Sequence, residues 1–197
     1  MTAEKVEEIV SKAVPGSGME ELLQLAVQEA NTSVHEAQKA RAEYRGMGST
    51  LTALALSDHC YHIAQVGDSR AYLLRDRDLV QLTQDHSLVW PLYTSGMIAK
   101  EDISRNPRKN LITRSIGTQP QVEADIQTGA VYEGDLFLLC SDGLTDVLSD
   151  AQISRILLNG STDPQQLSDL LVAAANAGGG PDNVTVVTVY LAPGPIV

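Results

Sequence analysis

The chain has 197 residues, 43% of them hydrophobic, which is enough to bury a substantial core and favours one domain over two. A formal charge of −11, with only 14 Lys and Arg spread along the sequence, excludes a broad nucleic-acid surface, because phosphate binding needs clustered cations. No apolar run approaches the roughly 20 residues that span a bilayer, and the start of the chain is polar and helix-like, so a cytoplasmic protein without membrane association is expected.

Residues 4 to 13 predict a short helix that ends at the breaker Pro15-Gly16-Ser17-Gly18. Met19, Leu22, Leu23, Ala26, Val27, Ala30, Val34 and Ala37 recur at three- and four-residue spacing and predict an amphipathic helix from about Met19 to Tyr44. After Gly46-Met47-Gly48 the period changes to that of strands, at Leu51 to Ser57, Cys60 to Val66 and Ala71 to Leu74. Asp58-His59 and Asp68-Ser69 sit at the turns, which implies antiparallel neighbours. Cys60 and Cys140 lie inside strand-like runs and read as core thiols. Residues 86 to 110, irregular and interrupted by Pro91, Gly96 and Pro107, predict a surface flap with short helices, anchored by Trp90 with Leu88, Leu92 and Tyr93. Further strands are expected at Leu111 to Ser115, Val122 to Thr128, Leu136 to Cys140 and Val184 to Leu191. Helices are expected over Ser149 to Leu158 and Pro164 to Ala177, with Ser149 and Asp163 as N-caps. Blocks of strands separated by blocks of helices imply an α+β layered domain rather than βαβ units.

Three aspartates carry the chemistry. Asp142 follows the apolar run Leu136 to Cys140 and precedes Gly143; Asp68 follows Gly67 at the end of a strand; Asp182 follows Gly178-Gly179-Gly180-Pro181 and precedes the last strand. Strand-edge carboxylates beside glycine suit one oxygen-rich site for a hard cation such as Mg²⁺ or Mn²⁺, and the negative net charge agrees with bound cations. For any one of the three, turn capping is the plainer explanation. His59, Cys60 and His62 have no second cluster to complete a zinc site and read as structural, and a histidine such as His86 in Asp85-His86-Ser87 is more often a packing residue than an acid or base. Gly46-Met47-Gly48 precedes a strand, so it reads as a helix stop and not as a phosphate loop.

Six segments occur in the order found in bacterial metal-dependent serine/threonine phosphatases of type 2C, and the chain resembles that family from about residue 20 to 190. They are Gly46-Met47-Gly48-Ser49-Thr50-Leu51, Val66-Gly67-Asp68-Ser69-Arg70-Ala71-Tyr72, Leu82-Thr83-Gln84-Asp85-His86-Ser87, Ile112-Thr113-Arg114-Ser115-Ile116-Gly117, Leu139-Cys140-Ser141-Asp142-Gly143-Leu144 and Gly180-Pro181-Asp182-Asn183-Val184-Thr185. The resemblance implies a four-layer α-β-β-α sandwich of two antiparallel sheets, a site for two or three Mn²⁺ or Mg²⁺ ions, and residues 86–110 as a flap subdomain of a single domain over residues 1–197. Asp142 and Asp182 would hold the first metal, and Asp68 with Asp142 a weaker ion. Gly143 and Asn183 are expected beside these ligands, and Arg114 either near the site on the substrate side, paired with an acidic residue, or simply on an exposed strand face. The substrate would be a phosphoserine or phosphothreonine protein, with a bacterial serine/threonine kinase or its targets as partners. Catalysis by metal-activated water needs no side-chain nucleophile, and the phosphate-cradling and nucleophile motifs are absent from the sequence.

The resemblance also implies an Arg that grips phosphate and an Asp-Gly-x-Gly-Gly segment whose Asp bridges two metals, and no aspartate precedes Asp58 here. The domain is therefore expected to be incomplete at its N-terminal side, to have little activity alone, and to self-associate through sheet edges left uncovered. Two function classes follow: a phosphoprotein phosphatase, and a non-catalytic phosphatase-like interaction module.

Overall fold

The computed structural model describes residues 2–11, 18–57, 59–161 and 163–192. Their contacts divide into two compact units, one formed by Met1–Gly67 with Ile112–Ala130 and the other by Asp68–Leu111 with Val131–Val197.

In the first unit, α1 (Thr2–Ser11) and α2 (Met19–Ala40) pack with a three-stranded antiparallel sheet of order β1-β2-β5, where β1 is Leu51–Ser57, β2 Cys60–Val66 and β5 Asp125–Ala130. The apolar stripe of α2 foretold by its spacing is the buried one: Leu23, Ala26, Val27, Ala30 and Val34 close on Leu51, Ala64, Val66 and Ile116. Helix α2 stops at Ala40, short of the expected Tyr44, because Arg41 turns to an extended φ of −139° and a 3₁₀ turn, Ala42–Tyr44, follows. The predicted breaker at 15–17 and the turn residue Asp58 lie outside the described residues.

Two strand expectations in this unit need correction. Leu111 to Ser115 is not a strand; the residue after it, Ile116, makes an isolated bridge with Ser49. The strand expected over Val122 to Thr128 runs three residues later, over Asp125–Ala130. Glutamines of α2 take the backbone groups that a sheet partner would otherwise use: Val122 N–H donates to Gln28 Oε1 at 3.1 Å, and Ala124 exchanges both its groups with Gln24, its carbonyl accepting at 2.6 Å. Asn31, fully buried, does the same one turn further along α2, accepting from Gly117 N–H at 2.7 Å and donating to the Gln119 carbonyl at 3.0 Å. Helix side chains, which carry no strand period, thus decide where β5 begins.

The second unit contains the sheet β4-β3-β6-β7, antiparallel throughout, with β3 Arg70–Arg75, β4 Asp78–Gln81, β6 Leu136–Cys140 and β7 Val186–Tyr190. Strand β4 escapes the sequence reading because its hairpin turn uses Asp76 and Arg77 at φ 50° and 69° instead of a glycine. On the sheet lie α4 (Asp142–Thr145), α5 (Asp150–Asn159) and α6 (Pro164–Ala177), burying Leu144, Ile153, Leu167 and Leu171 against Tyr72 and Leu138. Both expected N-caps are present: Ser149 forms a full capping box with Gln152, and Asp163 accepts from Gln165 N–H at 2.9 Å. Residues 86–110 hold α3 (Trp90–Thr94) and a 3₁₀ turn at Lys100–Asp102 around a cluster of Val89, Trp90 and Ile103 with Tyr93 and Ile98. Trp90 and Tyr93 meet edge to face at 5.2 Å, whereas Leu88 is 49% exposed and takes no part in that cluster. Among the described residues no helix is long and apolar enough to cross a membrane.

Replacing Asn31 by Ala removes the partner of the buried Gly117 N–H and of the Gln119 carbonyl while leaving the helix intact. Each orphaned group costs about 1–3 kcal/mol, so urea unfolding is expected to show a drop of about 2–4 kcal/mol with an unchanged m-value; a loss below about 0.5 kcal/mol would contradict this account of the β5 approach.

Candidate metal centre

Strand β6 sits between β3 and β7 and is antiparallel to both, with Cys140 opposite Arg70 on one side and Val186 on the other. The residues that leave β6 and those that enter β3 and β7 are therefore neighbours at one end of the sheet. Asp142 leaves there; Asp68 and Asp182 enter there. The register alone brings together three aspartates separated by 74 and 40 positions in the sequence (142 − 68 and 182 − 142).

The local chain holds Asp142 and Asp182 on a backbone latch. Ser141, extended at φ −75° and ψ 165°, caps α4, so Asp142 is the first helical residue. Ser141 N–H donates to the Thr185 carbonyl at 3.0 Å, its hydroxyl accepts from Thr185 N–H at 3.0 Å, and that hydroxyl donates to the Asn183 carbonyl at 3.2 Å. Gly143 is required by contact: a Cβ there would collide with the Asn183 carbonyl. Asn183 thus acts through its backbone, and its N–H donates to Asp182 Oδ1 at 2.7 Å.

The electrostatics follow this packing. Burial raises the Asp68 carboxyl to about 6, and the charge of Asp142 adds to the shift. Asp142 is raised as well, by burial first, then by Asp146 and Asp182, while Lys109 opposes the rise. The three sequence-derived candidates are therefore coupled as two pairs that share Asp142. Among the described residues no group of three or more His, Cys, Asp or Glu side chains forms a ready cage for a metal ion. Hard carboxylate oxygens that repel each other at a half-buried edge are the donor chemistry that a divalent cation relieves, so the residues fit such an ion as a partial ligand set.

Sequence reasoning missed the charges around the candidates. Asp146, the C-cap residue of α4, lies one turn beyond Asp142 and ion-pairs with Lys109 of the flap at 2.5 Å; the four-residue spacing was the available signal. Arg70, 9% exposed, is bidentate to Asp85, with Nε to Oδ1 at 2.9 Å and Nη2 to Oδ2 at 2.6 Å. Its Nη1 donates to the Tyr72 hydroxyl at 3.2 Å, which donates in turn to Asp150 at 3.1 Å, and Lys100 closes on Asp150 at 2.6 Å. Burial opposes the charge of Arg70, but the bonds to Asp85 outweigh it and hold the guanidinium protonated.

The remaining candidates behave differently. Arg114 belongs to the first unit, where its guanidinium meets Asp125 at 2.5 Å and the Glu123 carbonyl at 3.0 Å. His59 occupies a turn at φ 62°, and His62 lies between Ser57 and Thr128 at 3.3 and 3.1 Å. Cys140 is buried, which pushes its thiol up to about 12, and Cys60 is partly buried; both are free.

Two outcomes test this geometry. Gly143→Ala pushes α4 off the Asn183 carbonyl and is expected to cost about 1–3 kcal/mol by overpacking, with hydrogen exchange rising at residues 182–185; unchanged protection there would refute the latch. For Asp68 the folded carboxyl binds its proton more tightly than the usual 3.8, so its stabilising contribution is full below that value and is lost as pH rises through about 6. In a chelating buffer, Asp68→Asn is therefore expected to leave Tm nearly unchanged at about pH 4 and to raise it at about pH 7.5. A gap in Tm that does not widen between those pH values would contradict the coupling.

The sequence profile of the family described as Protein phosphatase 2C matches residues 2–171. The serine/threonine phosphatase stp of Listeria monocytogenes serotype 4b (strain F2365) is 40% identical over 171 residues, covering 87% of this chain and 68% of the relative. Among solved structures, the Mycobacterium tuberculosis serine/threonine phosphatase PstP/Ppp superimposes with a TM-score of 0.86 at 34% identity, covering 97% of this chain and 81% of that one. The catalytic domain of the serine/threonine protein phosphatase PstP in complex with two manganese ions gives 0.83 at 33% identity, over 95% and 79% of the two chains. The two antiparallel sheets flanked by helices agree with this α+β fold. The chain belongs to the protein phosphatase 2C family of metal-dependent serine/threonine phosphatases.

Proposed function

We propose that Asp142 is the shared ligand of a divalent-metal edge, paired with Asp182 on one side and Asp68 on the other, and that this edge serves hydrolysis of phosphoserine and phosphothreonine in proteins. The observation that supports this most is the register of β6, which carries all three carboxylates to one sheet end, where each is coupled to its neighbour. Mn²⁺ is the preferred ion in this reading, since a solved relative at 33% identity holds two manganese ions. Bound ions would activate water and neutralise the phosphoryl oxygens during in-line attack.

The chain's own residues have positional tasks. Asp142 stays fixed because α4 begins at it and its neighbours Ser141 and Gly143 are clasped by the segment 183–185. Arg70 does not grip phosphate, because its Nε and Nη2 are engaged by Asp85 and its Nη1 by Tyr72. Phosphoproteins made by a serine/threonine kinase are the substrate class that this chemistry serves.

A second reading, a phosphatase-like interaction module, draws support from the incomplete ligand set: two carboxylate pairs sharing one member, with no closed set of three among the described residues. Affinity follows ligand number, so this polypeptide by itself is expected to bind Mn²⁺ weakly and to turn over phosphoesters slowly.

Steady-state assays on p-nitrophenyl phosphate and a phosphothreonine peptide, with Mn²⁺ titrated in, separate the readings. Slow, Mn²⁺-dependent turnover that Asp142→Asn abolishes, with a loss of about 100-fold or more in Mn²⁺ affinity, supports the metal edge. Turnover or Mn²⁺ binding indifferent to Asp142→Asn would sink it, and no turnover at saturating Mn²⁺ would favour the interaction module.

A further inference from the structure

The flap ends on a cation aimed at the acidic edge. Lys109 Nζ meets Asp146 Oδ2 at 2.5 Å, with only 27% and 20% of the two side chains exposed. Asp146 is joined to Asp142 through the first turn of α4, its N–H donating to the Asp142 carbonyl at 2.8 Å, and it is the carboxylate with the largest influence on Asp142. Lys109 is the cation that counters this influence. The lysine is also tied into the flap, its N–H donating to the Asn106 carbonyl at 3.1 Å. A second strap, Lys100 to Asp150 at 2.6 Å, joins the flap to the start of α5, and Asp150 also accepts from the Tyr72 hydroxyl.

Two carboxylates one helical turn apart repel each other, and a cation between flap and helix lowers that cost. A divalent ion at the same edge does so with twice the charge. The two cations therefore draw on one source of stabilisation, and whichever is present reduces what the other gains.

We propose that Lys109 is an internal competitor of the divalent ion and acts as a positioning residue: its ammonium holds the flap on Asp146, and metal binding at Asp142 loosens that hold. This rests on the reading of Asp142 as a metal ligand. Because linkage is reciprocal, the flap in turn sets the affinity of the edge for metal, so anything that lifts the flap tightens metal binding. Lys100 does not share this role, since neither it nor its partner Asp150 is among the charges that most shift Asp142.

The test uses the full chain and Mn²⁺ alone, followed by calorimetric titration and by hydrogen exchange over residues 86–111. Lys109→Met is expected to bind Mn²⁺ about fivefold or more tightly than wild type, whereas Lys100→Met binds as wild type does. In wild type, Mn²⁺ is expected to raise flap exchange; in Lys109→Met, exchange is high from the start and Mn²⁺ adds little. Equal or weaker Mn²⁺ affinity in Lys109→Met overturns the proposal, as does a gain of the same size in Lys100→Met, which would mark a general effect of charge. Asp142→Asn separates the two levels: if it leaves Mn²⁺ binding intact, the metal reading fails and this proposal with it, while loss of binding in Asp142→Asn beside an unchanged Lys109→Met rejects the competitor role alone.

Discussion

The pairing of β6 with β3 and β7 is the constraint on which the candidate centre rests. A strand that is antiparallel to both neighbours exports its last residue beside the first residues of both. With Cys140 opposite Arg70 and Val186, the loops carrying Asp68, Asp142 and Asp182 have no other end of the sheet to occupy. A slip of one residue in either ladder would exchange the two faces of β6, and because both are buried, with Phe137 on one and Leu138 on the other and neither exposed, it would disturb the packing on both sides. Hydrophobic burial in the sheet thus fixes the position of charges that it does not touch.

Around this end the charged groups fall into two kinds. Arg70 and Asp85 are buried, bidentate and satisfied, an arrangement in which loss of one partner leaves an uncompensated charge and costs about 3–5 kcal/mol. Their role is to anchor: the ring of Trp90, in the flap, lies 5.9 Å from the Arg70 guanidinium, and Tyr72 passes the network on to Asp150 and Lys100. Asp68 and Asp142 are the opposite case, half-buried carboxylates whose proton affinity rises because burial and like charges act together. Groups held against their own repulsion are costly to a fold, and such cost is characteristic of functional edges.

The flap links the two kinds. Its apolar cluster of Val89, Trp90 and Ile103 makes it a small body of its own, while Lys100 and Lys109 attach it by partly buried ion pairs that are more open to solvent screening than the Arg70–Asp85 pair. A segment with its own core can shift as a unit only where these ion pairs and the Arg70–Trp90 contact give way.

Much of this was legible in the sequence because it depends on local chemistry. The stripe of α2, the strands β1, β2 and β6 and the caps Ser149 and Asp163 follow from period and capping preferences that act within a few residues. The three aspartates were legible as strand-edge groups for the same reason. What the sequence did not determine involves partners far away in the chain. The start of β5 is set by Gln24, Gln28 and Asn31 across about 90 residues, the need for Gly143 comes from the Asn183 carbonyl, and Asp146 matters through Lys109 of the flap. Residue types and spacing carried the identity of the family and the nature of its donors, because those are properties of side chains. Which donors couple, and what opposes them, was decided only by the tertiary structure, because electrostatic interaction depends on distance and burial, and neither is encoded locally.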